Sequence, residues 1–193
     1  MLEIEFIDYW NKEYPESLPI NHELKLVYAD RWFRIHSLPG SKRYAETKEE
    51  YKIILDRQNQ LIKDLIGEQS EIAISFGLYE QDLINDNYKE LTDFGEFQKV
   101  LRVDLQKEIP KKYLDETYFD IYVKIEKWER GKKDEILKAI ANDEIRAMFV
   151  SPSKKCIIAP YDGGVDVIVD STEKRDSLKN KYRDWLSDRE DGM

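Results

Sequence analysis

The chain reads as an α+β protein, a mostly antiparallel sheet with helices packed on one face. Three observations predict this. Cys156 to Asp170, CIIAPYDGGVDVIVD, has two apolar β-branched runs around Asp162-Gly163-Gly164, the pattern of a tight β-hairpin whose turn residues take positive φ. Phe119, Ile121, Val123 and Ile125 alternate with Asp120, Tyr122, Lys124 and Glu126, as in an antiparallel strand with one solvated face. Glu46 to Ile66 carries Tyr51, Leu55, Gln58, Ile62 and Leu65 at helical spacing, and Gly67 follows as a C-cap.

The remaining elements fall into order around these. Residues 2–13 form an amphipathic helix with Leu2, Phe6, Tyr9 and Trp10 on one side, ended at Tyr14-Pro15. Leu24–Tyr28 and Arg31–Leu38 read as strands, the second directing Phe33 and Ile35 one way and Trp32, Arg34 and His36 the other. Ile72–Leu78 is a strand with the small residues Ala73, Ser75 and Gly77 on its second face. Phe97–Leu105, Tyr118–Trp128 and Ile145–Val150 are further strands, with a helix from Gly131 to Asn142 that buries Ile136, Leu137 and Ile140. Asp170-Ser171-Thr172-Glu173 opens a final helix bearing Leu178, Tyr182, Trp185 and Leu186, and the tail from Asp188 frays. No composition break divides the chain, so residues 1–193 are expected to form a single α+β domain.

The chain has 193 residues, 37% charged, with a formal net charge of -9. That balance argues against gripping a nucleic-acid backbone and suits a cytoplasmic protein or one that meets a basic partner. One cysteine, Cys156, excludes an internal disulfide and reads as a small buried hydrophobe with a raised pKa. One cysteine with the distant His22 and His36 argues against zinc. No cofactor motif is present. The acidic first residues do not resemble a secretory signal, and no apolar run is long enough to span a membrane.

Three stretches carry candidate chemistry. Arg34, His36, Ser37, Ser41, Lys42 and Arg43, with Tyr44 beside them, gather positive charge and hydroxyls at a strand end and its loop. They are suited to holding a phosphate or carboxylate; the alternative is that Arg34 and His36 lie on the solvated sheet face while Lys42 and Arg43 pair with Glu46, Glu49 or Glu50. Tyr161, Asp162 and Asp166 set carboxylates at the hairpin turn, either as a ligand or acid–base site or simply as turn residues. Residues 80–96, with Asp82, Asp86 and Asp93, form an acidic loop that would face a basic protein or remain solvated. No catalytic residue is assigned.

Two stretches resemble known sequences. RIHSLPGSKRYAE with the Tyr51–Asn59 helix segment resembles uncharacterised bacterial proteins. APYDGGVDVIVDS followed by LKNKYRDWLS is similar to the end of the domain-of-unknown-function 3885 family, with its Tyr-Asp turn, aspartate-bearing strand and aromatic-ended helix. This chain has Gly163-Gly164-Val165 where an Asp-Arg-Gly type of turn is expected of the family. The resemblance implies a bacterial cytosolic protein of unassigned activity, of a kind suspected of toxin-immunity roles. The leading expectation is therefore a binding protein, of immunity type, for a basic toxin. The alternative is a small-ligand protein or enzyme acting on an anionic substrate.

Overall fold

Seven strands share one sheet in a computed structural model that describes residues 1–81 and 93–187. They are β1 (Trp32–His36), β2 (Glu71–Tyr79), β3 (Gln98–Asp104), β4 (Tyr118–Lys127), β5 (Ala147–Ser151), β6 (Cys156–Tyr161) and β7 (Gly164–Ile168). The order is β1-β7-β6-β5-β2-β4-β3, and every neighbouring pair is antiparallel. The described helices are α1 (Phe6–Glu13), α2 (Leu24–Val27), α3 (Lys48–Ile66), α4 (Leu105–Glu108), α5 (Asp134–Ala141) and α6 (Thr172–Lys181). The protein is α+β.

The long helix α3 begins where its capping chemistry allows. Thr47 Oγ1 accepts the Glu50 N–H, and the Glu50 carboxylate accepts the Thr47 N–H in return. Gly67, at φ 81°, ends it. The buried stripe of α3 runs through Ile54, Leu61, Ile62, Leu65 and Ile66, with Tyr51 and Leu55 at its half-buried edge. Leu61, Ile62, Leu65 and Ile66 of this stripe, Ile136, Leu137 and Ile140 of α5, and Tyr182 pack on Phe33, Ile35, Ile74, Phe76, Phe149, Ile158, Val165 and Val167, while Ile54 packs with Leu38 and Ala141. Val165, Val167 and Val169 thus point to one face, and Ile168 to the other, as their alternation predicts.

The second face departs from the expectation that it would be solvated. Phe6, Trp10, Tyr14, Ile20, Leu24 and Tyr28 cover Phe119, Ile121, Val123, Met148, Val150, Ile157 and Ile168. The alternating apolar set of β4 faces this N-terminal layer rather than the long helices. Tilted and edge-to-face aromatic packing holds the layer, with ring centroids 4.9 Å apart for the tilted pair Trp10–Tyr14 and 5.7 Å for the edge-to-face pair Tyr14–Tyr28.

Two local expectations are corrected. Leu24–Tyr28 is not a strand: Leu24–Val27 is a single helical turn, because the buried pair is Leu24 and Tyr28, spaced i to i+4, while Leu26 is 73% exposed. The hairpin loop is indeed Asp162-Gly163, between the paired Tyr161 and Gly164, but neither these residues nor Gly164 takes positive φ. Glycine at 164 answers a different demand. A Cβ there would collide with the Ile35 carbonyl oxygen of β1 and meet the Tyr161 hydroxyl at 2.9 Å.

Candidate functional site

Register decides what becomes of the charged groups at the sheet edge. β1 and β7 pair so that Arg34 lies opposite Asp166 and His36 opposite Gly164. Arg34 Nε and Nη2 donate to the two oxygens of Asp166 at 2.7 and 2.9 Å, and Trp32 Nε1 donates to Oδ1 at 2.9 Å. The guanidinium lies over the Tyr161 ring at 4.6 Å and the Trp32 ring at 5.5 Å. With Arg34 and Asp166 side chains only 12% and 16% exposed, this is a half-buried, two-pronged ion pair packed between aromatic rings.

The loop after β1 continues the pattern. Ser37 N–H donates to the Gly163 carbonyl at 3.1 Å, which ties the loop to the hairpin turn. Arg43 Nε donates to Asp162 Oδ2 at 2.5 Å, and Asp162 is buried. The Asp162 hydrogen bond pushes the pKa values of both Arg43 and Tyr44 up. Lys42 Nζ meets Glu50 at 2.7 Å and Glu46 at 3.1 Å, so its pKa is raised and that of Glu50 lowered. Ser37 is wholly buried and accepts from Gln58 Nε2 at 2.9 Å, while the His36 carbonyl accepts from Arg57 Nη1 at 3.0 Å. Ser41 stands exposed at the turn, with φ 56°.

The Arg34–Tyr44 and Tyr161–Asp166 stretches therefore meet in space. Each of the three cations Arg34, Lys42 and Arg43 meets a carboxylate of the same chain. The third candidate stands apart: Asp93 is exposed, whereas Asp82 and Asp86 lie outside the described residues. Cys156 is buried, and that burial pushes its thiol up to about 12.

Two hollows escaped the sequence. A groove of about 950 Å³ runs between α3 and α5, where Asp56, Asp93, Asp134, Glu135 and Glu144 outnumber Lys48, Lys52 and Lys138. A second cavity, of about 340 Å³, opens in a notch between the end of β2 and the start of β5. His22, Ser75, Gly77, Asp143, Glu144 and Arg146 contribute to its lining. One local signal existed: Gly77 lies within a strand, and a Cβ there would collide with the Phe119 ring. Among the described residues, no group of three or more metal-ligating side chains gathers, and no helix is long and apolar enough to cross a membrane.

An antiparallel seven-stranded sheet, clad on both faces and braced at one edge by ion pairs, defines the class: an α+β protein without a recognisable catalytic constellation among its described residues. The chain belongs to the family described as Domain of unknown function (DUF3885), whose model matches residues 20–190. The match takes in most of the chain, well beyond the C-terminal stretch that carried the resemblance. No curated protein and no solved structure was found to match.

Proposed function

We propose that this protein is a non-enzymatic bacterial binding protein of the cytoplasm, of immunity type, whose partner is a basic protein. One observation carries the reading. The cations that would make an anion clamp are neutralised within the molecule, Arg34 by Asp166, Arg43 by Asp162 and Lys42 by Glu50 and Glu46. The chain still has a net charge of -9, so its long-range field attracts cationic surfaces. The acidic groove between α3 and α5 supports the same reading, since Asp56 and Glu135 side chains are 60% and 84% exposed. The rival, an anionic substrate held by Arg34, Lys42 and Arg43, would require those cations to leave their internal carboxylates.

The test is capture of a partner at low salt, followed by association kinetics with the purified pair. The expected partner is basic and stoichiometric, and its association rate falls steeply with ionic strength. Charge reversal at Asp93 and Glu135, and at Asp82 and Asp86, slows association by roughly tenfold while leaving dissociation nearly unchanged. Salt-independent association, or an anionic metabolite whose binding is abolished in Arg34→Ala, would overturn the proposal.

A further inference from the structure

The notch between β2 and β5 follows from a mismatch of strand lengths. β5 pairs with β2 only as far as Phe76 opposite Ala147, yet β2 runs on through Gly77 and Leu78 to Tyr79, paired on its other side with β4. Strand backbones turn N–H and C=O to alternate sides, so at least one residue of this extension directs both groups into the notch. The opposite wall is the turn that leads from α5 into β5. It is a Schellman turn: Glu144 N–H reaches the Ala139 carbonyl at 2.9 Å, and Asp143 N–H the Ile140 carbonyl at 3.0 Å. Asp143 occupies the left-handed position, at φ 58°, where glycine is usual. The turn thereby brings Asp143, Glu144 and Arg146 to the cavity rim.

The lining has two characters. Ile20, Phe119 and Met148 form a buried apolar wall. The rim carries both signs of charge, with Asp143 and Glu144 against Arg146, whose side chain is 64% exposed and stands 3.9 Å from Asp143. His22 lies beside them, held below its ordinary pKa by burial and by the Lys112 cation, so it adds polarity without charge at neutral pH. A simple anion would face two carboxylates here, and a simple cation would face Arg146. A molecule bearing both charges next to an apolar group meets complementary chemistry on every side.

We infer that the notch is a binding site for a small zwitterion, an α-amino acid with an aliphatic or aromatic side chain. Its ammonium group lies toward Asp143 and Glu144, its carboxylate toward Arg146, and its side chain against Ile20, Phe119 and Met148. The main-chain groups of the β2 extension supply a donor and an acceptor to the ligand's polar end. This site adjoins the acidic groove proposed for a protein partner and shares only Glu144 with it among their lining residues, so the tests at Arg146 and Asp143 leave the groove's other carboxylates unchanged and either assignment can fail without the other.

The experiment is calorimetric titration of the full chain with L-leucine and L-phenylalanine, beside three controls. These are 4-methylpentanoate, which lacks the ammonium; 3-methylbutylamine, which lacks the carboxylate; and glycine, which lacks the apolar group. The two amino acids are expected to bind, with each control weaker by tenfold or more. Arg146→Ala should weaken binding by roughly tenfold, as should Asp143→Gly. Asp143→Gly also relieves the left-handed strain, so it should raise the melting temperature of the unliganded protein by about 2–4 °C and cannot lose binding through unfolding. Absence of amino-acid binding at millimolar concentration would overturn the inference. So would 4-methylpentanoate binding as tightly as leucine, or binding that both variants leave intact.

Discussion

The edge formed by β1 and β7 and the notch between β2 and β5 contrast in how they treat polar groups. At the edge, a dense set of charged side chains is closed on itself: Arg34 is stacked, doubly hydrogen-bonded and largely buried with Asp166, and Arg43 meets a buried Asp162. At the notch, fewer charged groups surround a cavity of about 340 Å³, and Arg146 and Asp143 stand 3.9 Å apart rather than in a close pair. Density of functional-looking residues is thus a poor guide to availability. A charge whose partner comes from the next strand is architecture, and a sparse rim around a cavity is a better candidate for recognition.

The largest expected effect is at Gly164. Its alanine variant would force β1 and β7 apart at the Ile35 carbonyl and should cost at least ~3 kcal/mol in urea unfolding. Gly40→Ala meets no atom within 4 Å, and its φ of 65° alone should cost about 1 kcal/mol. Similar losses for the two would mean that the close strand approach is not what selects glycine at 164.

Next comes Asp166→Ala, which takes from Arg34 the two-pronged carboxylate that it meets between its rings and should cost about 2–3 kcal/mol. The double variant Arg34→Met with Asp166→Leu should lose less than Asp166→Ala alone, since the guanidinium is removed along with its carboxylate. A double variant as damaged as the sum of its singles would deny that the pair acts as a structural unit.

A smaller effect concerns pH. Burial lowers the His22 pKa in the folded state, so on acidification the unfolded chain takes up its proton first. That contribution to stability is complete above the ordinary histidine pKa of about 6.5 and is lost as pH falls from there toward the folded value. His22→Gln should therefore flatten the fall in unfolding free energy as pH drops below about 6.5. An unchanged slope would show that His22 does not carry it. Smallest of all, Arg146→Ala should shift unliganded stability by no more than about 0.5 kcal/mol, because the side chain is 64% exposed. A larger loss would make Arg146 part of the scaffold rather than of a binding rim.

Much of the architecture was legible along the chain. The period of α3, its end at Gly67 and the hairpin around Asp162-Gly163 are local properties, and they appear as read, whereas β4 keeps its alternation without the solvated face expected of it. Leu24–Tyr28 misled because five residues with four apolar positions suit either period, and burial of Leu24 with Tyr28 chose the helix. The covering of the second face was hidden because it depends on where the aromatic N-terminal segment docks, a tertiary outcome. The candidate edge was legible as a set of residues but not as a set of pairs. Arg34 and Asp166 lie 132 positions apart, and only strand order and register bring them together. The notch was less legible still, since it arises from β5 being shorter than β2, and Gly77 was its one local trace.

The most direct test of the contrast is an amide-resolved NMR titration of the isotope-labelled protein with L-leucine and, separately, with inorganic phosphate. Perturbation by leucine should centre on His22, Gly77, Leu78 and residues 143–148, and phosphate should leave Arg34–Tyr44 and Tyr161–Asp166 unmoved. Phosphate shifts centred on Arg34, Lys42 and Arg43, with the notch silent to leucine, would contradict the account and restore the edge as the ligand site.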